Sequence, residues 1–114
     1  MQTLSRSIIS TANFKALKKL KKLLEDNFCV VKLIAFGSVV RNEADDESDL
    51  DLLVVTCEKF SRSERHKITD IIFDVNLKYG TNISSTVVDQ YSWESGYFSI
   101  LPIKDEIERE GVVI

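Results

Sequence analysis

The chain is poor in the residues that would assign it to a specialised class. It has one proline, one histidine and two cysteines in 114 residues. Cys29 and Cys57 show no CxxC or Cys/His spacing, which excludes a zinc module. Each sits beside an apolar, strand-like run, and the reading is two reduced, buried thiols. No window approaches the ~20 apolar residues of a membrane-spanning helix. Residues 1–10 lack a long apolar core and a small-residue cleavage pattern, so no signal peptide is expected. A cytoplasmic protein without membrane contact is the expectation. A basic excess is missing too: the formal net charge is −3, which argues against a duplex nucleic-acid binder. Repeats and low-complexity linkers are absent from the sequence. Residues 1–114 therefore read as a single domain with one core, 44% hydrophobic and 29% charged.

What the chain does have is Phe36-Gly37-Ser38-Val39-Val40-Arg41, followed by Ser48-Asp49-Leu50-Asp51-Leu52-Leu53. A Gly-Ser turn follows one apolar strand, and an Asp-x-Asp pair opens the next. Side chains two apart on a strand share a face, so Asp49 and Asp51 are expected to point into one small volume. Two carboxylates held that close repel each other unless a cation sits between them. Hard oxygen ligands suit Mg²⁺, above all Mg²⁺ already carried by a triphosphate. Gly37 lets backbone approach an anion closely, and a turn leading into a helix offers N–H groups to phosphate.

Around this motif the elements alternate. Phe14, Leu17, Leu20, Leu24 and Phe28 give one helical stripe, capped by Thr11 or Asn13. Lys15, Lys18, Lys19, Lys21 and Lys22 cover the other faces and read as a solvated surface. Val30 to Phe36 is a strand. Leu50 to Thr56 is a second, and its unbroken apolar run predicts burial on both faces. Ser61 or Ser63 caps a second helix with Ile68, Ile71, Ile72, Val75 and Tyr79 inward and Gly80 at its end. Ile83 to Val88 is a third strand, Asp89 to Ser95 a polar turn region, and Ile103 to Glu110 a last helix after Pro102. Gly111 stops it, and Val112 to Ile114 adds a short strand. The expected fold is α/β (α+β), a small mixed central sheet with helices packed against it.

Gly37-Ser38, Arg41 and Ser48-Asp49-Leu50-Asp51 resemble the signature of the DNA polymerase beta-like nucleotidyltransferase superfamily. Within it the chain is most similar to the minimal nucleotidyltransferases of prokaryotes, antitoxin type. The similarity runs from the helix before Val30 to Glu110-Gly111. It implies the polymerase beta-like fold and transfer of a nucleoside monophosphate from an NTP, with ATP the expected donor, to an acceptor hydroxyl. It implies Asp49 and Asp51 as catalytic metal ligands for Mg²⁺, two ions brought partly by the nucleotide. Gly37 and Ser38 become phosphate contacts, and Arg41 and Ser48 join the nucleotide site. It also implies a helical HEPN-type toxin as protein partner, in a homo- or hetero-oligomer, with AMP attached to a toxin tyrosine.

Simpler roles compete with each assignment. Asp49 could cap a turn, Asp51 could pair with Arg41, and Ser38 could be only a helix N-cap. Arg41 stands between phosphate contact and clamp for the acidic loop of Glu43, Asp45, Asp46 and Glu47. Two departures from the family pattern stand out. Asn42 replaces a glycine, a mild change because Asn tolerates left-handed backbone. More seriously, the third carboxylate of active relatives aligns with Ser84, which is a poor metal ligand and no base near pH 7. Asp89 is the nearest downstream acid but at the far end of that strand. Asp70, Asp74 and His66 read as surface residues. A catalytically weak or inactive nucleotide-binding module, acting on its partner by contact alone, is therefore the alternative. Tyr91, Trp93, Tyr97 and Phe98 would then form part of an interface, unless Trp93 and Phe98 fold back onto the core.

Overall fold

A computed structural model of the protein describes residues 2, 3, 10–37 and 50–114. Its strands are β1 (Gln2–Thr3), β2 (Val30–Phe36), β3 (Leu50–Thr56), β4 (Ile83–Asp89) and β5 (Val112–Val113). They form one mixed sheet in the order β1-β5-β2-β3-β4. β2 runs antiparallel to both β3 and β5, whereas β3 and β4 are parallel, as are β1 and β5. The helices are α1 (Thr11–Asn27), α2 (Arg62–Tyr79), α3 (Gln90–Glu94) and α4 (Pro102–Glu110), with a 3₁₀ turn at Tyr97–Ile100. This is the α+β sandwich that the alternation of periodicities predicts. No helix among the described residues is long and apolar enough to cross a membrane.

Each helix starts and stops for a local reason. Ser10, rather than Thr11 or Asn13, caps α1: its hydroxyl accepts from the Asn13 N–H at 3.2 Å. Ser61 caps α2 in a reciprocal box, with Glu64 accepting from the Ser61 N–H at 3.1 Å. Gly80 ends α2 in the left-handed conformation, at φ 67°. Segment 89–95, expected to be a polar turn, contains α3. Asp89 caps it by accepting from the Ser92 N–H at 3.0 Å and the Ser92 hydroxyl at 2.7 Å.

The sheet has an apolar layer on each face. Leu33, Ala35, Leu50, Leu52, Val54 and Ile83 pack against Leu17, Leu20 and Leu24 of α1 and Ile68, Ile72 and Val75 of α2. Ile34, Leu53, Val55 and Val88 pack against Trp93, Phe98 and Ile107 on the other side. β3 is thus buried on both faces, as its composition demands. Each fully buried Leu there contributes roughly 1.5–3 kcal/mol. Trp93 and Phe98 fold back onto the core, while Tyr91 and Tyr97 stay exposed. The α1 lysines are solvated; Lys22 pairs with Asp26 at 3.3 Å, one turn along.

Two contacts hold the frame around the future site. Asn76 of α2 reaches the start of β4: its Nδ2 donates to the Ile83 carbonyl and its Oδ1 accepts from the Ile83 N–H, both at 3.0 Å. Gly111 lets the end of α4 close on the sheet, because a Cβ there would collide with the Ile107 carbonyl and Ile34 Cγ2.

The cysteines correct the sequence reading. Cys29 and Cys57 are exposed and bonded to each other as a disulfide. The cause is strand register. Val30 pairs with Thr56, so the next residues outward, Cys29 and Cys57, face each other, 5.6 Å apart at Cα. Their backbones are joined as well, the Cys57 N–H donating to the Cys29 carbonyl at 3.0 Å. Protein purified without reductant should show no free thiol after denaturation. Replacing both cysteines by serine should lower stability to denaturant by up to about 3–4 kcal/mol, the chain-entropy value for a closed loop of this length. Two titratable thiols in the unreduced protein would contradict the pairing.

Candidate functional site

Asp51 is the second residue of β3 and lies directly across from Phe36, the last residue of β2. It has the parity of Leu53 and Val55, so it belongs to the sheet face that carries Trp93, Phe98 and Ile107. Gly37 follows Phe36 with φ +107°, and a Cβ built there would lie 3.0 Å from Asp51 Oδ2. The bend therefore sits over the carboxylate with no side chain between them. Only glycine adopts this backbone without strain, and only glycine leaves the space.

A cavity of about 350 Å³ opens at this point, lined by Phe36, Gly37, Asp51, Ile103, Glu106, Ile107 and Glu110. Glu106 and Glu110 were not anticipated. Their signal was present in the sequence: positions 103, 106, 107 and 110 share one helical face, and two of the four are acidic. What the sequence could not show is that Ile107 would turn this face toward the end of β2.

Of the expected site residues, Gly37 and Asp51 are brought together. Ser38, Arg41, Ser48 and Asp49 lie outside the described residues. The same holds for Asn42 and the acidic loop. Ser84 of β4 stands opposite Asp51 in the parallel register, so the strand position expected for a third carboxylate holds a hydroxyl. Asp89 is at the other end, paired with Thr56, about 16 Å from Ser84 at the usual rise per strand residue. Its carboxylate is occupied as the cap of α3. The Ser92 N–H and hydroxyl hold its pKa below the ordinary value of 3.8, with Lys59 adding a smaller pull in the same direction. Asp70, Asp74 and His66 are exposed on α2, whose inward side packs on the opposite sheet face.

A hard carboxylate oxygen beside a bend that a Cβ would fill suits a metal-bound phosphate. Among the described residues no group of three or more His, Cys, Asp or Glu converges as a metal cage. A cation held by Asp51 would need further oxygen ligands, such as those of phosphate, to complete its shell.

Comparison with known proteins shows the family. The model of the nucleotidyltransferase domain family matches residues 17–114, and the chain belongs to that family. A putative protein adenylyltransferase of Methanocaldococcus jannaschii is 37% identical over 75 residues, covering 64% of this chain and 50% of the relative. A second of the same name and organism is 30% identical over 97 residues, covering 85% of this chain and 89% of the relative. A third is 30% identical over 76 residues, covering 66% and 78%. The chain thus spans half of the first relative and most of the other two.

Two outcomes test the placement of these groups. Gly37→Ala puts a methyl group against Asp51 and a non-glycine residue in left-handed backbone; stability should fall by about 1–3 kcal/mol, and calorimetric affinity for Mg-ATP by at least roughly tenfold, about 1.4 kcal/mol. Asp89→Asn keeps a competent cap and should leave any turnover unchanged. It should also flatten part of the acid limb of stability. Because the folded pKa is lowered, the unfolded chain binds the proton first. The contribution is then complete above the unfolded value near 3.8 and lost as pH falls through the lower folded one. An acid limb identical in wild type and variant would contradict the cap.

Proposed function

We propose that this protein transfers AMP from ATP to a hydroxyl of a partner protein. The observation that carries the reading is the Asp51 carboxylate set against the Gly37 bend, in a chain of the nucleotidyltransferase domain family. The relatives named as putative protein adenylyltransferases support a protein acceptor and an adenylyl donor.

In this reading Gly37 and Ser38 offer backbone N–H groups to the β- and γ-phosphates. Asp51 and Asp49 would hold Mg²⁺, which would supply neutralisation of the charge that develops in the transfer. Arg41 and Ser48 complete the nucleotide side of the site. Phe36, Ile103 and Ile107 give the cavity an apolar wall, beside which electrostatic contacts are stronger than in open water. The acceptor is a helical HEPN-type protein, and the pair acts as toxin and antitoxin.

Ser84 favours one second reading. With a hydroxyl opposite Asp51, the chain would bind nucleotide and silence its partner by contact, without transfer. Incubation with Mg²⁺, labelled ATP and a co-purified partner separates the two. Transfer should occur and be abolished by Asp51→Asn. Ser84→Asp should raise the rate by about 10²–10⁴-fold, the usual value of a positioned acid–base group. Tight partner binding without label, unaffected by Asp51→Asn, would establish the contact-only reading instead.

A further inference from the structure

The described surface exposes eight large apolar side chains, and four of them fall within seven consecutive residues: Tyr97, Ile100, Leu101 and Ile103. Tyr97 packs edge-on against Phe98, 6.1 Å between ring centroids, but the core does not account for Ile100, Leu101 and Ile103. The core demand of this segment is met by Phe98, whose ring lies 5.3 Å from that of Trp93. Ile100 is 83% exposed. Leu101 occupies the N-cap of α4 and makes no side-chain cap bond. That position prefers Ser, Thr, Asp or Asn, each worth about 1 kcal/mol over an apolar residue. A residue that costs helix stability and stays in water points to use elsewhere.

The apolar segment leads into the proposed site. Ile103 is both exposed and part of the wall that includes Gly37 and Asp51. Beyond it the rim turns acidic, with Glu106 and Glu110 on the same wall. α4 carries Asp105, Glu106, Glu108 and Glu110 against Lys104 and Arg109. Lys104 lies 5.0 Å above the Trp93 ring and 3.5 Å from Glu108.

We propose that segment 100–103 and the acidic side of α4 form the docking surface for the acceptor, and that the acceptor is a polypeptide whose hydroxyl lies among basic and apolar side chains. The proposal rests on the transferase reading above. A hydroxyl that reaches Asp51 through this cavity must pass Ile103, Glu106 and Glu110. A nucleic-acid acceptor would carry its phosphates past those carboxylates and be repelled. Lysine or arginine beside the acceptor hydroxyl is attracted by them. The apolar segment supplies the anchors that protein interfaces favour. In the transfer itself the hydroxyl oxygen forms a bond to the α-phosphorus of ATP. The bond from that phosphorus to the bridging oxygen breaks, pyrophosphate leaves, and the hydroxyl proton passes to water.

The test uses labelled ATP, Mg²⁺ and three probes: a tyrosine peptide flanked by lysine and leucine, the same peptide with glutamate for lysine, and a short RNA with a free 3′ hydroxyl. Wild type is compared with Ile100→Ser/Leu101→Ser, in which the second change supplies a cap residue to α4. Mg-ATP affinity is measured on both proteins by calorimetry. The basic peptide should be labelled at least roughly tenfold faster than the acidic one, and the RNA not at all; the double variant should raise KM for the basic peptide about tenfold with Mg-ATP affinity unchanged. With Mg-ATP bound normally and label transferred, any of three results overturns the docking surface: labelled RNA, equal labelling of both peptides, or an unchanged KM. Wild type that binds no Mg-ATP, or that binds it and labels none of the three probes, overturns the transferase reading beneath it.

Discussion

The register of β2 on β3 is the constraint from which the site follows. Phe36 pairs with Asp51, and the chain leaves the sheet at the next residue, Gly37. A slip by one position would send Asp51 into the apolar cluster under α1 and α2 and turn Leu50, Leu52 and Val54 toward Trp93, Phe98 and Ile107. The register is therefore paid for by the double burial of β3, with Leu50, Leu52, Leu53, Val54 and Val55 all at 1% exposure or less. The carboxylate is placed by hydrophobic residues that never touch a ligand.

The two sheet faces divide the work. α1 and α2 cover one face with the larger apolar cluster and carry their charges outward. The other face is covered by short elements, α3, the 3₁₀ turn and α4, around Trp93, Phe98 and Ile107. There the sheet keeps polar residues, Asp51 and Ser84, side by side. Asn76 fixes where β4 begins and so where Ser84 stands. Gly111 sets how near α4 comes and so where Glu106 and Glu110 lie. The Cys29–Cys57 bond closes the far end of the β2–β3 pair, away from the site.

Much of this was legible in the residues. The stripe Leu17, Leu20, Leu24 and the unbroken run Leu50 to Thr56 carry their structure in local periodicity, and the structure follows them. Ser84 was found through the family resemblance, and the parallel register of β4 on β3 puts it opposite Asp51. The misreadings have separate causes. Whether Cys29 and Cys57 are buried depends on which strand ends meet, a long-range fact that no window contains. Asp89 looked like a loop acid because a five-residue helix has too few apolar positions to announce itself. Glu106 and Glu110 became wall residues only when α4 packed across the end of β2.

The central claim is that Gly37 and Asp51 form one face of a Mg-ATP site. Titration of Mg-ATP into isotope-labelled protein, followed by amide chemical shifts, tests it most directly. The chain has only four glycines, so the Gly37 resonance is readily assigned. The account predicts perturbations centred on Gly37, Asp51 and Glu106, lost in Asp51→Asn. Shifts confined to the opposite end of β3 and β4, around Thr56, Lys59 and Arg65, or no shifts at saturating nucleotide, would contradict it.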